Sequence, residues 1–186
     1  MKKFITLVVL FMLLYTTLNS GTTQKIWAPM NSYTFKPSTT TPAIIVDPKQ
    51  HECLAMNIYF EAAIESTAGK LAVAQVTLNR VKSRRYPNTI CSVVKEGQHY
   101  ASGFPKRDRC QFSWYCDGKH DNPRETPAWR ASQDIAKYVM TTPDLIDITD
   151  GSTHYHANYI PAPRWADPRK KTVAIDTHIF YNKSSF

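Results

Sequence analysis

Apolar positions recur at helical intervals through the middle of the chain and switch to strand-like alternation towards its end. At about 100° per residue, Leu54, Ile58, Glu61 and Glu65 project within roughly 60° of one another. This spacing predicts a helix over about 51–65, a break at 66–69, and a second helix over about 70–82. The second helix places Leu71, Ala74, Leu78 and Val81 on one face. Tyr86-Pro87-Asn88-Thr89 reads as a turn, with a short helix over 90–96. Residues 97–125 are rich in Gly, Pro, Asp, Asn and aromatics and read as a long loop, which at that length is usually functional. Thr126-Pro127 is an N-cap followed by an N1 proline. It starts a third helix running to about Met140, with Trp129, Ile135, Ala136 and Val139 inward and Pro143 beyond its end. Residues 153–157 and 172–181 read as strands separated by the proline-rich stretch 160–168. The whole predicts a mainly helical α+β fold with a small C-terminal β-hairpin or sheet packed on the helices. No internal repeat is present.

The first residues have a different pattern. Lys2-Lys3 precede an apolar run over 4–18 broken only by Thr6, Thr16 and Thr17. This is a charged region followed by an apolar region of signal-peptide length, short for a membrane span. Residues 1–21 are therefore read as a signal peptide or an N-terminal membrane segment that engages the membrane transiently, and the chain as exported. Residues 22–50 carry Pro29, Pro37, Pro42 and Pro48 with Ser38-Thr39-Thr40-Thr41 and read as a Pro/Thr-rich linker. The working domain is expected over 51–183, which is long enough for one real core.

Charge and cysteine usage narrow the picture. The 186 residues carry 23 Lys+Arg against 15 Asp+Glu, a net charge of +8 that favours anionic partners such as a bacterial envelope. The longest basic run, Arg169-Lys170-Lys171, is too short for a nucleic-acid arm, and export argues against a nucleic-acid partner. Cys53, Cys91, Cys110 and Cys116 fit an oxidising compartment. Three pairings are open, as are four free thiols. The favoured pairing is Cys110 with Cys116, closing a short loop, and Cys53 with Cys91, tying the first helix to the segment after the second. No Cys-x-x-Cys spacing supports a zinc site built from all four.

Two carboxylates on a core-facing stripe call for an explanation. Burial raises a carboxyl pKa and costs stability unless the group is paired, and a raised pKa is what a general acid needs near neutral pH. The plainer reading has Glu61 and Glu65 edging the stripe and pairing with a basic side chain. In the loop, Gln111 and Ser113 suit sugar hydroxyls and N-acetyl groups, while Phe112 and Trp114 suit sugar rings or core packing beside a disulfide. On a strand, His154 and His156 face one side and Thr153, Tyr155 and Ala157 the other. With His178, the two histidines offer an alternative three-histidine zinc site. Asn79 and Arg80, near the end of the second helix, are read as bracing the first.

Four blocks together resemble the bacterial cell-wall hydrolase family that includes the spore cortex-lytic enzymes. They are Ala55-Met-Asn-Ile-Tyr-Phe-Glu-Ala62 with Ala72-Val-Ala-Gln-Val-Thr-Leu-Asn-Arg80; Tyr86-Pro-Asn-Thr-Ile-Cys91; Cys110-Gln-Phe-Ser-Trp114 with Cys116-Asp-Gly118; and Gly151-Ser-Thr-His-Tyr-His-Ala157 followed by His178-Ile-Phe-Tyr181. They occur in the family's order. The resemblance implies a lysozyme-like helical core and a peptidoglycan-cleaving activity of lytic transglycosylase type, acting between N-acetylmuramic acid and N-acetylglucosamine, as in a phage endolysin or a wall-remodelling enzyme. Glu61 matches the first Glu of the family's Glu-Ala-Arg-Gly-Glu run and is expected to be the catalytic acid. Ala63-Ile64 stand where Arg-Gly is usual. Glu65 is expected to orient or support the site; as a second catalytic carboxylate it would have to lie about 5–5.5 Å from the first. Gln111, Phe112, Ser113, Trp114, Thr153, His154, Tyr155 and His156 are the expected substrate-binding residues. No cofactor is expected, and the expected partner is the peptidoglycan glycan strand, bound by a monomer. Two other readings stand beside this one: a zinc-dependent wall amidase or peptidase using His154, His156 and His178, and a non-catalytic wall-binding module.

Overall fold

The computed structural model describes residues 44–182, so the expected export segment and most of the linker lie outside the described residues. Helix α1 (Pro48–Ala62) begins where Asp47 accepts hydrogen bonds from the backbone N–H groups of Lys49 and Gln50 and Pro48 fills the first turn. The last residues assigned to the linker therefore belong to the helix. Helix α1 buries Leu54, Ala55, Asn57 and Ile58 and stops at Ala62, three residues before Glu65. The helix expected over 51–65 is thus shorter at its C-terminal end. Ser66 already caps the next helix, accepting from the N–H groups of Ala68 and Gly69.

Helix α2 (Thr67–Lys82) starts earlier than periodicity predicts, because Gly69 lies inside it rather than breaking it. A Cβ at Gly69 would stand 2.4 Å from the Asp176 carboxylate and 2.8 Å from Glu65 Cβ, so a smaller residue is required there. The run from Ala72 to Thr77 is buried, which makes α2 the central helix rather than an amphipathic surface one. A short helix α3 (Ile90–Val94) follows, capped by the Thr89 hydroxyl. Helix α4 (Pro127–Thr141) is capped by Thr126, as its Thr-Pro signal predicts, and buries Ile135, Ala136 and Val139.

Residues 97–125 are not a structureless loop. Strands β1 (Gly97–His99) and β2 (Pro105–Cys110) form an antiparallel hairpin, followed by a 3-10 turn at Ser113–Cys116. The hairpin buries neither face, so its sequence carries no apolar alternation to reveal it. The C-terminal sheet has three strands rather than two. Strand β3 (His154–Ala157) pairs with β5 (His178–Tyr181), and β5 pairs with β4 (Lys171–Ile175). The single strand expected over 172–181 is split at Asp176, whose φ of 49° places it in the left-handed region that Asp tolerates better than most residues.

The main core gathers α1, α2, α3 and α4 around Leu54, Ile58, Val93, Val94 and Ala136. A smaller cluster of Ala72, Val76 and Phe180 seats the sheet on α2. Arg80 and Asn79 fix the approach to β3: the Arg80 Nε donates to the Thr153 carbonyl at 2.8 Å, and the Asn79 amide donates to Asp147 at 2.7 Å. Among the described residues no helix is long and apolar enough to cross a membrane.

Both disulfides follow the favoured pairing, Cys53–Cys91 and Cys110–Cys116. Closing the 38-residue separation should stabilise the fold by about 4 kcal/mol and closing the six-residue one by about 2 kcal/mol. Thermal unfolding of Cys53→Ser/Cys91→Ser should show the larger drop in Tm, with Cys110→Ser/Cys116→Ser mainly loosening the hairpin. Equal drops for the two double variants would contradict this assignment.

Candidate active site

Helix α1 delivers Phe60 and Glu61 on its last turn, and β3 delivers Tyr155 opposite them. The Tyr155 hydroxyl donates to the Glu61 Oε2 at 3.1 Å. Burial pushes the Glu61 carboxyl pKa above its ordinary value, against the opposing pull of the Tyr155 hydrogen bond and the Arg80 guanidinium. Burial and the neighbouring Glu61 charge hold the Tyr155 phenol well above its usual range, so it remains a donor at working pH.

Arg80 supplies the positive charge behind this pair. It is itself buried, with its guanidinium 4.8 Å from the Phe112 ring centroid and 5.4 Å from that of Tyr86. Among the described residues its Nη1 has no hydrogen-bond partner, and neither does the buried Glu96 Oε2. Burial raises the Glu96 pKa while Arg80 pulls it back down. Arg80 is thus the cation shared by two carboxyl groups, one in the cleft and one behind it.

The wall beside Glu61 is aromatic. Phe60 stacks on Trp114 with centroids 4.7 Å apart. Trp114 is fixed from below: its indole N–H donates to Asn57 at 2.9 Å, and the Asn57 amide donates to Thr77 at 3.1 Å. The buried Asn57 on the α1 stripe therefore aims an indole into the cleft. The cleft itself holds about 640 Å³ and is lined by Glu61, Tyr155, the Phe60–Trp114 stack and, across from them, the charged residues Asp117, Lys119 and Asp121. Asp117 pairs with Lys119 at 3.2 Å. Burial, and then the charge of Asp117, raise the pKa of Asp121.

Of the residues singled out by sequence, Glu61, Ser113, Trp114, Tyr155, His156 and His178 line this cleft. The others are placed elsewhere. Phe112 is a core residue beneath the Arg80 guanidinium, because only a buried ring can cover that cation on its inner side. The Gln111 side chain is exposed, and its backbone N–H donates to Glu96. Thr153 gives its carbonyl to Arg80 and pairs its hydroxyl with His154. His154 packs against Trp165 and Tyr86.

Glu65 lies past the helix end and accepts from the Thr177 hydroxyl at 2.6 Å and the Thr177 N–H at 3.1 Å. It clasps the β4–β5 turn rather than facing Glu61 across a cleft. The Lys70 ammonium donates to the Glu65 carbonyl, and Asp176 accepts from the Ser66 N–H at 2.9 Å. These contacts close the turn in which Ala63-Ile64 replace the family's Arg-Gly, leaving Ile64 almost fully exposed.

Strand register separates the three histidines. Tyr155 faces Phe180 and Ala157 faces His178, whereas His154 and His156 lie opposite Tyr181 and Ile179. His178 therefore shares the face of Tyr155, its ring centroid 5.0 Å away. His156 pairs its Nδ1 with the Ala157 carbonyl and its Nε2 with the Tyr181 hydroxyl. Among the described residues no group of three or more His, Cys, Asp or Glu is placed to hold a metal ion. Sequence reasoning missed the charged wall 117–121 and the exposed rim residues Tyr159 and Ile160; the Cys110–Cys116 loop was the available signal for the wall.

Comparison with known proteins agrees with this architecture. A family model described as cell wall hydrolase matches residues 64–181, beginning three residues after Glu61. Two spore cortex-lytic enzymes of Bacillus cereus are each 27% identical over 163 residues, covering 87% of this chain and 53% of their own length. The chain thus spans about half the length of the curated relatives it matches. The crystal structure of the catalytic domain of the Bacillus cereus SleB protein aligns with a TM-score of 0.54 at 25% identity, covering 74% of this chain and 93% of that one. The catalytic domain of the germination-specific lytic transglycosylase SleB from Bacillus anthracis aligns with a TM-score of 0.53 at 27% identity, covering 74% and 97%. The shared fold is the mainly helical, lysozyme-like α+β arrangement expected from the sequence.

The raised pKa of Glu61 has a signed consequence for stability. A carboxyl whose pKa is higher folded than unfolded binds more protons in the native state between the two values, so its contribution is lost as pH rises through the folded pKa. Glu61→Gln should therefore raise Tm near neutral pH, and the gap should close below the ordinary carboxylate range. A variant less stable than the parent at neutral pH would show that Glu61 is held by pairing rather than strained by burial.

Proposed function

This chain belongs to the cell wall hydrolase family, and on that premise we propose that it cleaves the glycan strands of peptidoglycan between N-acetylmuramic acid and N-acetylglucosamine as a lytic transglycosylase. The observation that supports this most is Glu61: a carboxyl group with a burial-raised pKa, hydrogen-bonded to Tyr155, beside an aromatic stack in an open cleft.

In the proposed reaction Glu61 is protonated and gives its proton to the glycosidic oxygen as the muramyl C1–O bond breaks. The resulting carboxylate then accepts the proton of the muramyl C6 hydroxyl while O6 bonds to C1, closing a 1,6-anhydro ring. The substrate supplies the nucleophile, so one carboxylate serves as acid and then as base. Tyr155 and Arg80 stabilise the ionised form between the two transfers, and burial favours its return to the neutral acid. Ser113, Trp114, Phe60 and the exposed Tyr159 form the sugar-binding surfaces in this reading. Glu65 acts as a positioning residue through the β4–β5 turn. In this reading the catalytic domain begins with α1 at Pro48 and runs to about 183, residues 1–21 export it, and the residues between let it reach the wall.

Digestion of purified peptidoglycan by the full chain, with fragments identified by mass spectrometry, tests this reading. The expected products carry 1,6-anhydromuramic ends, and Glu61→Gln should lower their rate of release at least about a hundredfold. A chelator should leave the rate unchanged. Reducing ends would keep a glycosidase but replace the C6 hydroxyl by water; cleaved peptide stems, or loss of activity with a chelator, would favour the amidase or peptidase reading. Pull-down of wall by an inactive parent protein would favour the binding module.

Tyr155→Phe separates the two states of Glu61. Loss of the hydrogen bond removes a pull that lowers the Glu61 pKa, so the carboxyl should stay protonated to higher pH. The falling alkaline limb of kcat/KM should then move upward in pH while the peak rate drops. An unmoved limb would mean that Glu61 is not the group titrating there.

A further inference from the structure

The β1–β2 hairpin is used by nothing in the proposed reaction, and its construction is unusual for a surface loop. Its tip leaves two large aromatics in water, Phe104 at 72% and Tyr100 at 57% of full exposure. The tip is nevertheless ordered: the Tyr100 N–H donates to the Phe104 carbonyl and the Gly103 N–H returns to the Tyr100 carbonyl, both at 2.9 Å, with Gly103 at φ 86°. The base is fixed by the Cys110–Cys116 disulfide and by the Gln111 N–H donating to the Glu96 carbonyl at 2.9 Å. Both tip aromatics of this covalently held hairpin are exposed, and exposed apolar patches mark interaction sites.

Its charge complements one kind of partner. Lys106, Arg107 and Arg109 stand along β2, and Asp108 is the one acidic residue between Gly97 and Cys110. Lys106 lies 5.6 Å from the Tyr100 ring, which places a cation directly behind the aromatic tip. The Arg107–Asp108 pair is long, at 3.9 Å, and largely in solvent, so it neutralises little. Aromatics ahead of a row of cations match the boundary of an anionic bilayer, where rings enter the headgroup region and cations meet the surface charge.

We propose that the β1–β2 hairpin is an interfacial anchor that inserts Tyr100 and Phe104 into the headgroup region of an anionic lipid surface, with Lys106, Arg107 and Arg109 as its electrostatic contacts. This goes beyond the glycan-cleaving reading and does not depend on it. The cations also lie near the cleft: a Cβ at Gly118 would stand 3.3 Å from the Arg107 guanidinium, next to Asp117 and Lys119 of the charged wall. A docked hairpin would therefore hold the cleft close to the membrane face.

All four cysteines are disulfide-bonded, so Ser102→Cys in the full chain carries a single environment-sensitive fluorophore at the tip. Its emission should rise and shift to the blue on phosphatidylcholine vesicles containing phosphatidylglycerol, and stay unchanged on phosphatidylcholine alone. Lys106→Gln/Arg107→Gln/Arg109→Gln should lower the vesicle partition coefficient of that response on the order of a hundredfold. Phe104→Ser should weaken it without changing Tm or the rate of glycan cleavage. The tip fluorophore distinguishes the hairpin from the apolar N-terminal segment, which is present in every variant. No blue shift, an equal shift on neutral vesicles, or a response to soluble glycan strands in place of vesicles would each overturn the assignment.

Discussion

The site depends on one contact between two turns. The α1–α2 turn meets the β4–β5 turn through Glu65 on Thr177 and Asp176 on Ser66, with the Lys70 ammonium closing the first turn from inside. Because β5 pairs with β3 in fixed register, this clasp sets where Tyr155 stands relative to the last turn of α1. Glu61 and Tyr155 come within hydrogen-bond distance because two segments 94 residues apart are held by groups that lie outside the cleft. The tight fit of Gly69 against Asp176 follows from the same closeness. Hydrogen bonds to charged groups at a part-buried junction are individually stronger than neutral ones, which suits a joint that must hold a geometry.

A second constraint is electrostatic. Arg80 is buried, one Nη without a partner among the described residues, between two aromatic rings and near two carboxyl groups that burial pushes towards neutrality. Such an arrangement is poor for stability, since a buried charge recovers its desolvation only with full pairing. It suits the acid-then-base role proposed for Glu61. A salt bridge to Glu61 would fix the carboxylate as an anion; complete isolation would keep it neutral. Arg80 acting at a distance, with Tyr155 in direct contact, leaves both forms accessible.

The chain divides its aromatics by task. Phe112 and Tyr86 cover Arg80, Phe60 and Trp114 form the cleft wall, and Tyr100 and Phe104 stay in solvent on a disulfide-held hairpin. The two disulfides are likewise divided, one closing a long loop across the helical core and the other bracing the short segment that carries both the hairpin and the charged wall of the cleft.

Much of the frame is legible in the sequence, because its signals are local. Asp47-Pro48 and Thr126-Pro127 start helices where they stand, the apolar stripes mark the buried faces, and the stripe that carries Leu54 and Ile58 also brings Glu61 to a partly buried position. The cysteine spacings favoured the pairing that is found. Periodicity could not separate Glu61 from Glu65, since both fall on one stripe of an uninterrupted helix. That separation rests on Ser66 and on Asp176, 110 residues further along. Nor could it show that 172–181 folds back on itself, that His178 lies on the opposite sheet face from His154 and His156, or that Phe112 covers Arg80. The hairpin at 97–110 left no pattern because it buries no face. Caps and helical stripes act over a few residues, so the sequence alone determines them. The pKa of a buried carboxyl and the partners of a histidine are set by what packs across from them, and only the tertiary structure decides that.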